Sequence, residues 1–198
     1  MGSEPVFDIV SRSVVRITIQ QSNKKKDNIY RCGTILNCDP DRAFVITDGY
    51  KLEEKIGACM VIVKFPDKTK VYPCSKYCRI ENGMLGILCV PEIDKTFDVN
   101  LVKGIQVCDR VLEMSEKIFV YEGVHRRLVS GYITNFDEDY FSHNCGVVEL
   151  AEYGAPVVNR TGEFVGMSCS LEYHLSATVV SALTNIFERI RETLYSVQ

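Results

Sequence analysis

The chain has 198 residues, 46% apolar and 25% charged, which is enough for one well-packed domain of ordinary globular composition. A formal net charge of −3 and a pI near 5.7 exclude a global electrostatic case for a nucleic-acid or membrane-surface partner. No stretch approaches the roughly 20 apolar residues that span a bilayer, so neither nucleic acid nor membrane enters the expected partners.

Met1-Gly2-Ser3-Glu4-Pro5 lacks the charged start and apolar core of a signal peptide, which predicts an intracellular chain, cytoplasmic or nuclear. In a reducing compartment the nine cysteines read as free thiols, and the odd count leaves at least one unpaired. Short β-branched runs broken by turn residues then dominate, predicting strands at 14–19, 33–36, 43–47, 60–65, 70–74 and 85–90. Asp39-Pro40-Asp41 and Pro66-Asp67-Lys68 supply hairpin turns between them. Lys24-Lys25-Lys26, set among polar residues, reads as a solvated loop tip. The polar stretch 91–104 reads as a connector between an N-terminal half, 10–90, and a C-terminal half, 105–180. Further strands follow at 117–121, 127–133, 146–149, 155–158, 163–168 and 176–179. From Ser181 the period changes: Leu183, Ile186, Phe187, Ile190 and Leu194 recur at helical spacing, predicting a terminal helix over 181–196 with Ser181 as its N-cap. Many short strands with few helices make the chain all-β, a sandwich or a pair of barrels.

Neither a metal nor a cofactor is expected. Cys74 and Cys78 have a spacing that zinc sites use, but no second pair follows at a suitable distance. Most other cysteines sit in apolar runs, as Cys89 does between Leu88 and Val90, and read as small core hydrophobes. Asn159-Arg160-Thr161 forms a glycosylation sequon that is silent in an intracellular chain.

Several strings, in order, resemble the protease domain of the HtrA (Deg, Do-like) family of trypsin-like serine proteases. Ser13-Val14-Val15-Arg16-Ile17 and Cys32-Gly33-Thr34-Ile35-Leu36 are similar to its opening strands, and Asp67-Lys68-Thr69-Lys70-Val71-Tyr72-Pro73-Cys74 to its D-G-R-x-x-x-A hairpin. Leu128-Val129-Ser130-Gly131-Tyr132-Ile133 resembles V-T-S-G-I-V. The run from Gly154-Ala155-Pro156 to Val165-Gly166 resembles the segment after the nucleophile, and Ser176-Ala177-Thr178-Val179-Val180-Ser181 the last strand and helix entry. The resemblance covers about 10–195 and implies one trypsin-like domain of two six-stranded chymotrypsin-like β-barrels with a C-terminal α-helix, with no PDZ domain.

In that family a histidine takes the nucleophile's proton, a carboxylate orients the histidine, and a serine attacks. The resemblance places Tyr50 where the histidine belongs, Met84 where the carboxylate belongs, and Tyr153 where the serine belongs. Independently of alignment, the only histidines are His125, His143 and His174, all beyond the first half of the chain. A tyrosine with a pKa of ~10 is a poor base at neutral pH, and methionine cannot orient an imidazole. Ala151 and Ala155 replace glycines around the nucleophile, altering the turn that holds the oxyanion. These substitutions predict a pseudoprotease and no catalytic residue.

What the resemblance leaves is the peptide groove. Its edge strand would be Met167, Ser168, Cys169 and Ser170, open to backbone pairing or covered by Tyr153 and neighbouring loops. The expected role is a protein-interaction module or regulator binding a protein or peptide. Because the family forms trimers through its N-terminal segment, co-assembly as a homo- or hetero-oligomer is a variant, with Val6, Phe7 and Ile9 either making that contact or packing within the chain. The alternative is a hydrolase with a rebuilt site: His143 and Cys145, two apart, share a strand face, and a Cys–His pair is a recognised nucleophilic arrangement.

Overall fold

The computed structural model describes residues 5–21, 28–38, 42–49, 59–65, 71–73, 76–80, 85–91, 102–123, 125–136, 140–146, 153–169 and 176–178. Within them a short helix α1 (Val6–Ser11) is followed by β1 (Val14–Gln21), β2 (Ile29–Cys38), β3 (Arg42–Asp48), β4 (Cys59–Lys64), β5 (Val71–Pro73), β6 (Lys76–Ile80) and β7 (Leu85–Pro91). The second half contributes β8 (Lys117–Glu122), β9 (Arg127–Phe136), β10 (Tyr140–His143), β11 (Pro156–Val158), β12 (Phe164–Met167) and β13 (Ser176–Thr178). The predicted helix 181–196, most of the connector 91–104 and most of the predicted strand 146–149 lie outside the described residues. Gly146, which is described, belongs to no strand.

The strands form two antiparallel sheets, ordered β5-β4-β1-β2-β3-β7-β6 and β12-β11-β8-β9-β10-β13. The first has seven strands where six were expected. The expected run 70–74 stops at Pro73, which has no N–H to continue a ladder. The chain resumes as β6, paired with β7 at the other edge. Three Cα steps separate Pro73 from Lys76, a reach of at most about 11 Å. Two opposite edges of one sheet are thereby brought together, and the sheet closes on itself. In the second sheet the edges β12 and β13 also meet.

Side chains alternate between the two faces of a strand, and in β3 and β7 both faces are buried. Val15, Ile17, Ile19, Val45, Leu88 and Val90 point into the first barrel. Ile118, Val120, Val157, Val165 and Phe141 fill the second. Their alternates, among them Phe44, Ile46, Ile87, Tyr121, Val158 and Phe164, form a third core between the two sheets. Strands buried on both faces read as continuous apolar runs, which is why the sequence showed runs rather than alternation.

Helix α1, absent from the sequence reading, packs onto this joint. Val10 is fully buried in the third core, and Phe7 stacks on Tyr121 with ring centroids 6.1 Å apart. Ile9 faces Gly162, near enough that a Cβ there would lie 3.3 Å from it. Val6, Phe7 and Ile9 therefore pack within the chain. The Asn159–Glu163 turn between β11 and β12 is built around one buried side chain. Asn159 Oδ1 accepts from the Thr161 and Glu163 amides, each at 3.0 Å, and from the Thr161 hydroxyl at 2.7 Å. Its Nδ2 donates to Glu163 Oε2 at 2.6 Å, so the sequon asparagine is structural. Among the described residues no helix is long and apolar enough to cross a membrane.

Candidate functional site

The two sheets meet at the turn that carries Tyr153. The Cys32 amide on β2 donates to the Tyr153 carbonyl at 2.9 Å, and the Thr34 hydroxyl donates to the Gly154 carbonyl at 3.3 Å. Thr47 on β3 braces β2 from behind, its hydroxyl donating to the Cys32 carbonyl at 2.6 Å. Gly154 takes a φ of +92°, which brings its backbone so close to β2 that a Cβ would lie 2.0 Å from the Cys32 oxygen. The half-buried Tyr153 ring lies under Arg31, whose Cζ is 5.4 Å from the ring centroid. Tyr50 and Met84 lie outside the described residues. The strand ends that flank them, Asp48 and Leu85, are register partners at one end of the first sheet, the end at which Thr47 reaches β2.

The candidate edge strand is largely committed to the interior. Met167, Ser168 and Cys169 are buried, and Ser170 lies outside the described residues. Met167 is the register partner of Pro156. The Ser168 amide donates to the Ala155 carbonyl at 2.9 Å, and its carbonyl accepts from the Gly154 amide at 2.7 Å. Both backbone groups of Ser168 are thus occupied by the Tyr153–Ala155 turn, which closes that edge of the segment to an added strand.

His143 and Cys145 do come together. The Cys145 amide donates to His143 Nδ1 at 3.4 Å, which puts the imidazole proton on Nε2. The pair is buried among apolar neighbours. Both face the second barrel's interior with Phe141 and Ile133, and His143 Nε2 has no hydrogen-bond partner among the described residues. Burial pushes the His143 imidazole down to about 4 and the Cys145 thiol up to about 12. At pH 7 such a thiol is ionised in on the order of one molecule in 10⁵, and the imidazole is neutral. Of the other histidines, His125 is exposed in the turn between β8 and β9, and His174 lies outside the described residues. Cys32, Cys38, Cys89, Cys108, Cys145 and Cys169 form no disulfide with one another.

One site was not visible in the sequence. A cavity of about 560 Å³ opens beside the Tyr153 joint, bounded by β1, β2, the end of β4 and the β8–β9 turn. Arg16, Arg31, Lys64 and Arg126 line it, together with Tyr30 and Tyr121. These four cations come from four separate segments, and no local signal in the sequence groups them.

No family model matches this sequence, and no curated protein matches it at a significant level. Solved structures do match by shape. A serine endoprotease from Yersinia pestis is similar over 96% of this chain and 67% of its own, with a TM-score of 0.69 at 13% identity. An inactive mutant form of Rv3671c from M. tuberculosis H37Rv is similar over 94% of this chain and 91% of its own, with a TM-score of 0.64 at 16% identity. At such identities the likeness establishes the fold: a chymotrypsin-like double β-barrel, as the serine endoproteases have.

Proposed function

We propose that this chain is a trypsin-like fold without protease chemistry, a pseudoprotease that acts by binding another protein. The observation that carries this reading is the Tyr153 joint. At the position that the resemblance gives to the nucleophilic serine stands a tyrosine, its carbonyl bonded to β2 and its ring beneath Arg31. No histidine exists in the first 124 residues to serve it as a base. The buried, un-ionised state of His143 and Cys145 supports the same reading against a rebuilt thiol site.

The test is turnover. The protein is incubated with labelled casein and a diverse peptide mixture, then with a fluorophosphonate and an iodoacetamide probe, and products are read by mass spectrometry. The expected result is no cleavage above buffer and no labelling of Cys145 until denaturant is added. Cleavage that disappears in Tyr153→Ala or His143→Gln overturns the proposal.

A further inference from the structure

The cavity beside the Tyr153 joint combines three independent features. First, Arg16 and Lys64 are register partners on β1 and β4, and both are exposed. Like charges directly opposite on neighbouring strands repel, so this pair carries an electrostatic penalty that a bound anion would relieve. Second, Arg126 takes a φ of +51°, a region that non-glycine residues seldom occupy. That backbone turns it toward the cavity, where its guanidinium reaches the Tyr121 hydroxyl. Third, no carboxylate is among the described residues that line the space. Glu122, next in sequence to Tyr121, is turned to Arg127 instead. A chain with a net charge of −3 has gathered cations from four segments into one concave place.

The remaining walls say what kind of anion fits. The aromatic rings of Tyr30, 46% exposed at the rim, and of Tyr121 line the same space. Inorganic phosphate has no use for apolar walls. Nucleic acid binds through long runs of phosphates, and four cations gathered in one cleft neutralise few of them. An extended segment that alternates carboxylates with apolar side chains satisfies both kinds of wall. We infer that this cavity, lined by Arg16, Arg31, Lys64 and Arg126, is a docking site for an acidic peptide segment of a partner protein. The inference rests on the non-catalytic binding role proposed above and names the partner chemistry. It places the contact in the basic cleft beside the Tyr153 joint rather than at the strand Met167–Ser170.

The experiment is fluorescence anisotropy with a labelled decapeptide alternating Glu with Val and Phe. The same sequence with Lys for Glu is the control, and inorganic phosphate and a single-stranded oligonucleotide are competitors. The acidic peptide binds, the Lys version does not, and affinity falls several-fold as salt rises through the range where charges are screened. The double variant Arg16→Glu/Lys64→Glu weakens binding by about tenfold or more, as expected for charges that face the ligand, whereas Arg160→Glu on the exposed β11–β12 turn leaves it unchanged. Far-ultraviolet circular dichroism confirms that each variant is folded. Equal affinity in the double variant, or displacement by phosphate or oligonucleotide at concentrations equal to the peptide's, overturns the site. Mass spectrometry of the same samples reads whether the peptide stays intact, so cleavage sinks the non-catalytic reading while leaving the cleft standing.

Discussion

Replacing Gly154 by alanine measures what the joint between the sheets is worth. At a φ of +92° any Cβ is strained, by about 1–2 kcal/mol. The new methyl would also meet the Cys32 oxygen at 2.0 Å and Thr47 Oγ1 at 2.5 Å. A backbone carbonyl cannot swing away, so the turn must retreat from β2. That breaks the bonds from the Cys32 amide to Tyr153 and from the Thr34 hydroxyl to Gly154, each contributing about 1 kcal/mol. The total is about 3–4 kcal/mol, which for a domain of this size lowers Tm by about 6–16 °C. Gly146 offers the control. Its φ is +89°, but among the described residues the nearest atom to a Cβ would be Val129 Cγ1 at 3.9 Å. Gly146→Ala therefore carries the backbone strain alone, about 1–2 kcal/mol and about 2–8 °C. Calorimetry of the two variants decides the matter. If they melt within 2 °C of each other, the contact at Cys32 is not what holds the sheets together, and the reasoning about the joint fails.

Two other perturbations test the interior. Unfolding returns His143 from about 4 to its ordinary 6.5, so between those values the unfolded chain binds more protons than the folded one. This contribution to stability is fully present above about pH 6.5 and is lost as pH falls toward 4, by about 3 kcal/mol in all at about 1.4 kcal/mol per pH unit. His143→Leu should remove that slope, so urea unfolding at pH 7 and pH 4.5 should differ by about 2–3 kcal/mol less than in the parent. An unchanged difference would show that the imidazole is solvated. Asn159→Ala strips the β11–β12 turn of four hydrogen bonds around a side chain that is 3% exposed. It should cost about 2–4 kcal/mol, read as a lower urea midpoint with an unchanged m-value.

Much of the architecture was legible because it rests on local signals. The apolar strands β3 and β7 are buried on both faces, and β1 and β8 carry buried Val and Ile at alternate positions, so they stand out without any knowledge of partners. What escaped was short or polar. Helix α1 spans six residues, too few for a helical period to show, and holds its place through Phe7 on Tyr121 rather than through propensity. β6 carries Lys76 and Arg79, and β10 ends in Ser142-His143; both are strands because of their partners. The same distinction governs the site. Tyr153 could be placed from the string that follows it, but its bonds to β2 join residues more than a hundred positions apart. The basic cavity was less visible still: Lys24-Lys25-Lys26 drew attention as the one basic run, while the four cations that converge are spread from Arg16 to Arg126.

The core between the sheets also sets a schedule for biosynthesis. Phe44, Ile46 and Ile87 form the outer wall of the first barrel, and the residues that cover them, from Tyr121 to Met167, are made later. A ribosome adding ~5–20 residues per second leaves that wall bare for roughly 5–15 s. α1 leaves the exit tunnel ahead of every strand described, yet Gly162, against which Ile9 rests, follows about 150 residues later. A segment made early must therefore wait for one made much later before it can settle, and a nascent chain halted between the two presents an adhesive surface for chaperones.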